Sequence, residues 1–348
     1  MKPAEELKQQ LNQTIGQVVF GAEALIHGLC LALISGGHVL LEGVPGVGKT
    51  LLAKTLATQL GGIFKRIQCT ADLMPSDMTG VHVFNEQLRN FELVQGPLFA
   101  NVVLVDEINR TGPKTHSALL QAMEEGFITI DRESYTLPDN FLVIASQNPH
   151  EFEGTYPLPE SQLDRFLLRM IISYPAAQHE MQVLQTYDKP GGGHGVTPKS
   201  STSASTGAST SATTATEAVT LIDQARKQVA DVHVSDVLYQ YVIDIANASR
   251  AHQNISLGLS TRGALGLMRC ARVQAALRGA EFVTPDDVKS VAPAVMAHRM
   301  ILTTEATLEN TDTQTLVESV FSQVEVPREF SETSHSSAQP ADPLSPKL

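Results

Sequence analysis

Lys49 and Thr50 close the run Gly43-Val44-Pro45-Gly46-Val47-Gly48-Lys49-Thr50, which has the spacing of a phosphate-binding loop, G-x-x-x-x-G-K-[ST]. Glycines at those places let the backbone curl so that successive N–H groups face one anion, and the helix that follows adds its positive end. Lys49 suits the β- and γ-phosphates of a nucleoside triphosphate, the Thr50 hydroxyl suits Mg²⁺, and Leu51 belongs to the same contact stretch. Further on, Val102-Val103-Leu104-Val105-Asp106-Glu107 ends an apolar run in two adjacent carboxylates. Asp106 is fitted to hold Mg²⁺ through water, and Glu107 to orient and deprotonate an attacking water. A glycine-rich turn, or two solvated acids, would explain either motif alone. Their joint occurrence favours nucleotide binding with hydrolysis.

The elements that must position these residues follow from the pattern of apolar residues. Short β-branched runs at 38–42, 64–68, 102–106, 141–146 and 167–172 alternate with helical patterns, as in a parallel α/β sheet. The stretch 49–60 predicts a helix, with Leu52, Leu56 and Leu60 on one face and Gly61-Gly62 as its stop. The α/β core is thus assigned to residues 1–188. Residues 189–216 begin Lys189-Pro190-Gly191-Gly192-Gly193 and, from Ser200 to Thr216, contain only Ser, Thr, Ala and Gly. That composition predicts a flexible linker. Residues 217–323 predict a helical domain: Ser235 caps a helix with Leu238, Tyr241, Val242 and Ile245 on one face, a second spans 261–277, and Thr284-Pro285 starts a third region. There Pro293 is expected to separate two short helices. The tail, 324–348, has no periodicity and is expected to be disordered.

Charge narrows the chemistry. The 348-residue chain has 37 acidic and 25 basic residues, a formal net charge of −12, which disfavours constitutive binding to nucleic acid. Cys30, Cys69 and Cys270 are too scattered for a metal cluster or a disulfide framework and read as reduced thiols of a cytoplasmic protein. The longest apolar stretch, 25–41, is broken by His27, Ser35, Gly36, Gly37 and His38, so no transmembrane segment is expected.

Several further motifs carry a family resemblance. Together with Gly43–Thr50, the runs Val103-Leu104-Val105-Asp106-Glu107-Ile108-Asn109-Arg110, Ser146-Gln147-Asn148-Pro149 and Leu158-Pro159-Glu160-Ser161-Gln162-Leu163-Asp164-Arg165-Phe166 resemble the MoxR family of AAA+ ATPases. Leu259-Ser260-Thr261-Arg262-Gly263, Pro285-Asp286-Asp287-Val288 and Ala297-His298-Arg299 resemble that family's lid. The likeness covers about residues 10–187 and 228–302. It implies a P-loop AAA+ core with a five-stranded parallel sheet, followed by a small α-helical lid, and it implies ATP and Mg²⁺ as ligands. By resemblance, Asn148 is sensor 1, Arg165 is the finger aimed at a neighbouring subunit, and Arg262 is sensor 2 on its own subunit's nucleotide. Gln68 sits where a polar residue can hold the catalytic Glu away from water, and Val19, Phe20 and Gly21 border the adenine. Arg110 serves the subunit interface or is solvated, and His298 is given no catalytic role. Hairpins around 79–94 and 126–137 face the pore or client in relatives.

The function so implied is a homo-hexameric, chaperone-like motor. It would remodel or mature a client complex together with a partner bearing a von Willebrand factor A domain. A magnesium-chelatase-like ATPase subunit and a nucleotide-gated scaffold with little hydrolysis are the alternatives. One departure stands out: the Ser/Thr/Ala-rich segment lies where the family pattern has a charged helical stretch between core and lid.

Overall fold

The computed structural model describes residues 1–44, 46–148, 155–156, 158–188, 208–309 and 311–327. Two helices, α1 (Pro3–Gly16) and α2 (Glu23–Ser35), precede the first strand. The core continues as β1 (Val39–Gly43), α3 (Lys49–Gln59), β2 (Phe64–Gln68), α4 (Pro75–Thr79), β3 (Gly80–Asn85), β4 (Asn90–Gln95) and β5 (Val102–Asp106). Then come α5 (Pro113–Glu125), β6 (Phe127–Ile130), β7 (Glu133–Thr136), β8 (Leu142–Gln147), α6 (Glu160–Leu163), β9 (Leu168–Ile172) and α7 (Ala177–Tyr187). The helical region expected to form the lid holds α8 (Ala208–Asp231), α9 (Asp236–Ala251), β10 (Ile255–Leu257), α10 (Thr261–Leu277) and α11 (Pro285–Met296). It ends with β11 (Ile301–Leu302), α12 (Thr304–Leu308) and α13 (Thr313–Ser322).

The central sheet is parallel with order β2-β5-β8-β1-β9. All five strands expected from the sequence are present, two of them shifted along the chain by one residue and a third starting one residue later. The period of two is visible in the packing. Val102 and Leu104 of β5 enter the apolar cluster on one face, and Val103 and Val105 enter the cluster on the other. The first cluster does not stop at the core: it runs from β1 and β9 through α1, α2 and α3 into the lid helices. Ala4, Leu7, Leu11 and Ile15 give α1 a buried stripe at helical spacing, and α1 packs on α2, α8 and α10. The lid is therefore docked through a continuous apolar core.

The two expected hairpins form, β3–β4 and β6–β7. They touch through His82, whose ring nitrogens meet the Asp131 carboxylate at 2.7 Å and the Tyr135 hydroxyl at 3.0 Å. Two expectations need correction. Pro293 does not divide α11 but lies inside it. An interior proline costs about 3 kcal/mol. Burying Val288, Val291, Ala292, Val295 and Met296 together, at about 1.5–3 kcal/mol for each large side chain, outweighs that cost. The segment assigned to a linker up to 216 is also helical from Ala208 onward. Beyond Gly207 the run has no Gly or Pro, and α8 is anchored by buried Leu221, Ile222 and Ala225, so extending the helix backwards costs little per residue. The rest of that assignment, 189–207, and most of the expected disordered tail, 328–348, lie outside the described residues.

Candidate active site

The phosphate-binding run leaves the carboxyl end of β1. Gly43 is packed so tightly against β9 that a Cβ there would lie 2.2 Å from the Ile172 carbonyl oxygen. Gly46 and Gly48 both have φ of +84°, a conformation that favours glycine, and nothing stands within 4 Å of where a Gly46 Cβ would be. Gly48 caps α3, with Lys49 and Thr50 in its first turn and Val44 and Val47 partly buried beside them; Pro45 lies outside the described residues. Lys49 Nζ donates to the Gly43 carbonyl at 3.0 Å. Burial lowers the Lys49 pKa, while Asp106 and Glu107 oppose that shift. A lysine ammonium thus faces the two carboxylates across the loop.

Those carboxylates are held by a web of named contacts. Ser146 Oγ donates to Asp106 Oδ1 at 2.5 Å and accepts the Glu107 N–H at 3.1 Å. Arg66 donates to Asp106 Oδ2 and to Gln68 Oε1, both at 2.7 Å. Gln68 Nε2 in turn donates to Glu107 Oε2 at 2.9 Å, and Arg110 pairs with that same oxygen at 3.2 Å. Glu107 itself sits at φ +57°, so the chain turns sharply at the end of β5 and throws its carboxylate beside Asp106. Asn148 directly follows β8, which lies between β5 and β1, so the sheet order places it between the carboxylates and the loop.

Beside the loop opens a cleft of about 540 Å³, lined by Val19, Phe20, Val47, Gly48 and Leu51 on one side and by Tyr174, Leu184 and Tyr187 on the other. The Tyr187 hydroxyl donates to the Val18 carbonyl at 2.9 Å and ties α7 to the N-terminal segment. Gly21 lies beside the cleft at φ +71°, where a Cβ would come within 2.4 Å of His179 Nδ1, so glycine lets α7 close over this segment. Sequence reasoning missed the α7 wall. Its signal is present in Val183, Leu184 and Tyr187, apolar neighbours on one helical face.

Arg262 departs from expectation. The resemblance implies a role on the nucleotide of its own subunit, but its guanidinium meets Glu124 Oε1 at 2.5 Å, and Arg165 meets Glu124 Oε2 at 3.3 Å. Both arginines line a second cavity of about 320 Å³ with Gly37, His38 and Leu167. His38 and Leu167 precede β1 and β9, so this cavity lies at the amino end of the strands, whereas the loop lies at their carboxyl end. The length of β1 separates the two, about 16 Å at ~3.3 Å per residue. Docking of the lid on α2 and β9 is what carries Arg262 to that end. Glu124, the carboxylate shared by both arginines, was not singled out from the sequence, because nothing in one helix's text says which distant side chains converge on its last turn.

Residues 38–168 match the family of ATPases associated with various cellular activities, and residues 247–320 match an AAA lid domain. The uncharacterized protein YeaC of Bacillus subtilis is 42% identical over 313 residues, covering 90% of this chain and 92% of that protein. Chaperone MoxR1 of Mycobacterium tuberculosis is 36% identical over 325 residues, covering 90% and 81% respectively. A crystal structure of a candidate ATPase from Cytophaga hutchinsonii superposes with a TM-score of 0.79 at 33% identity, over 94% of this chain and 97% of that one. With these relatives, this sheet order and this loop, the chain belongs to the MoxR family of AAA+ ATPases.

Proposed function

We propose that this AAA+ ATPase hydrolyses ATP in a homo-hexameric ring and uses the cycle to remodel or mature a partner protein complex. The observation that carries the ring is the placement of Arg165 and Arg262 at the end of the sheet opposite their own phosphate loop. Neither reaches its own loop across that distance, and both guanidiniums remain partly exposed, which supports their serving a neighbour's site. A catalytic site completed only by the next subunit requires a closed assembly.

The residues present fit a nucleotide and its metal. The open glycine backbone at Gly46 and Gly48 leaves room for phosphates, and the apolar cleft lined by Val19, Phe20, Leu51 and Tyr187 suits a base. Gly43, Val44, Pro45 and Val47 complete the loop, with Lys49 as its mobile cation. Thr50 and Asp106 would hold Mg²⁺, which supplies charge neutralisation at the phosphates. Glu107 accepts the proton of a water as that water's oxygen bonds to the γ-phosphorus and the bond to the bridging oxygen breaks. Asn148 positions that water, and the neighbour's Arg165 and Arg262 meet the charge that develops.

Two contacts also support slow turnover in the resting chain, the behaviour of a nucleotide-gated scaffold. Gln68 and Arg110 both engage the Glu107 carboxylate. Release of Glu107 would then accompany ring closure or partner binding. A partner with a von Willebrand factor A domain and a cytoplasmic setting belong to the same proposal. The exposed Phe84, Leu88 and Phe91 of the β3–β4 hairpin offer the client an apolar surface. No helix among the described residues is long and apolar enough to cross a membrane.

The division of labour is tested by two variants. Lys49→Ala should lose nucleotide binding, and Glu107→Gln should bind ATP and form rings but turn over negligibly. Sedimentation with ATP reads the assembly, and phosphate release reads the turnover. A monomeric Glu107→Gln protein under saturating ATP, or one with near wild-type hydrolysis, would refute the proposal.

A further inference from the structure

Arg299, in the segment between α11 and β11, is almost wholly buried, its side chain 3% exposed. Its Nε donates to Asp164 Oδ1 at 2.7 Å, and its Nη2 donates to the carbonyls of Phe166 at 2.6 Å and Asp164 at 3.2 Å. Its Nη1 donates to the Leu167 carbonyl at 3.0 Å and to the Val295 carbonyl. The neighbouring His298 contributes Nε2, which donates to the Phe166 carbonyl at 2.9 Å. From the start of α10, Ser260 Oγ donates to Asp164 Oδ2 at 3.0 Å. Apart from Val295, every partner of Arg299 lies in the turn 164–167, and that turn carries Arg165.

The pattern exceeds what anchoring a domain requires. Apolar packing already docks the lid along α1, α2 and β9. Burying a guanidinium carries a desolvation penalty that its partners must offset, and here the offsetting contacts go to the main chain on both sides of one residue. Asp164 and Phe166 are fixed at their carbonyl oxygens, so the backbone position of Arg165 is set from the lid. Ser260, which holds the same Asp164, caps α10 by accepting the Gly263 N–H at 2.9 Å, and Arg262 stands between the two. The arginine of the core and the arginine of the lid are thereby mounted on one joint.

We infer that Arg299 is a positioning residue for ATP hydrolysis in the neighbouring subunit, locking the Arg165 turn to the lid so that Arg165 and Arg262 are presented as one unit. This rests on the ring proposed above, and the test separates the two. Arg299→Lys keeps the charge and the stem but loses the planar fork that reaches several carbonyls at once. Its own phosphate loop is untouched, so nucleotide affinity and ring size should be retained. Turnover should fall on the order of ten- to a hundredfold, as a small misplacement of a catalytic group does.

Subunit mixing supplies a readout that general loosening of the fold would not move. An Arg299→Lys subunit has an intact loop, and a Lys49→Ala subunit has an intact donor face, so rings made from both should regain activity. Rings of Arg299→Lys with Arg165→Ala contain no intact donor face and should stay slow. The control, Arg165→Ala with Lys49→Ala, reports on the ring itself. If it recovers no activity in rings shown to contain both subunits, the neighbour-directed role of Arg165 falls, and the role of Arg299 falls with it. If the control recovers but Arg299→Lys with Lys49→Ala does not, Arg299 acts on its own subunit's site and the inference is overturned. Wild-type turnover by Arg299→Lys overturns it as well. Should that variant fail to assemble, Asp164→Asn removes the charge partner while leaving the carbonyl contacts, and the same mixtures decide. Full activity in Asp164→Asn would then count against the assignment.

Discussion

At the scale of single residues, the hydroxyl of Ser146 joins the two acidic residues to which hydrolysis is assigned in the proposed function. It donates to Asp106 and accepts from the Glu107 backbone, so one rotamer sets both the acid proposed to hold the metal and the turn that aims the acid proposed as base. Ser146→Ala should leave ATP binding nearly intact, because the phosphate loop is untouched. It should lower kcat about ten- to a hundredfold, the equivalent of one hydrogen bond to a charged group. Unchanged kcat in a steady-state assay would show that Asp106 and Glu107 hold their places without it. Lys49, Thr50, Asp106 and Glu107 were legible in the sequence because each belongs to a short contiguous motif whose spacing the chemistry dictates. Arg66 and Glu124 were not. Their partners, Asp106 in one case and Arg165 and Arg262 in the other, are brought to them by strand pairing and lid docking, which no local spacing records. Gln68 was marked through resemblance. Arg66 lies two residues earlier, on the same face of β2, and that period could have singled it out.

At the scale of elements, the five strands of the central sheet and the two hairpins were foreseen within a residue or two, the sheet because strands buried on both faces leave short, near-continuous apolar runs. The short strands β10 and β11 leave no such run and were not marked. α11 and the start of α8 were misjudged for one shared reason: local propensity was outweighed by packing elsewhere in the helix. Pro293 shows the balance in numbers. Its missing N–H and its ring clash disfavour the helix interior, yet the buried face of α11 keeps the helix whole. Pro293→Ala should therefore raise stability by about 1–2 kcal/mol, the relief of the interior proline less the entropy that proline removes from the unfolded chain. Urea denaturation reads this directly. A loss of stability would mean that the ring's own packing in the lid is worth more than the hydrogen bond it forbids.

At the scale of the whole molecule, buried histidines tie the main chain across joints that apolar packing has already closed. His38, just before β1, donates from Nε2 to the Met123 carbonyl at 2.9 Å and accepts the Val143 N–H on Nδ1 at 3.1 Å. A carbonyl can only accept and an amide N–H can only donate, so both partners demand the neutral ring. Burial lowers the His38 pKa from 6.5 to about 4. His116, donating to the Ile108 carbonyl, and His298, donating to the Phe166 carbonyl, are shifted in the same direction, chiefly by burial. The sign follows from proton counting. Below pH 6.5 the unfolded chain binds protons at these rings and the folded chain does not, so stability is lost as pH falls from 6.5 toward 4. For His38 alone the loss approaches about 3 kcal/mol across that window. The net charge of −12 acts in the opposite sense, because protonating carboxylates relieves their mutual repulsion and favours the compact state. The two effects are separated by His38→Asn, which keeps a polar side chain at the joint but does not titrate. Its stability at pH 7 should be lower than that of the wild type, and its decline between pH 6.5 and 4.5 should be shallower. Denaturant midpoints measured across that range decide the matter, since equal slopes in the two proteins would show that His38 is not kept neutral by the fold.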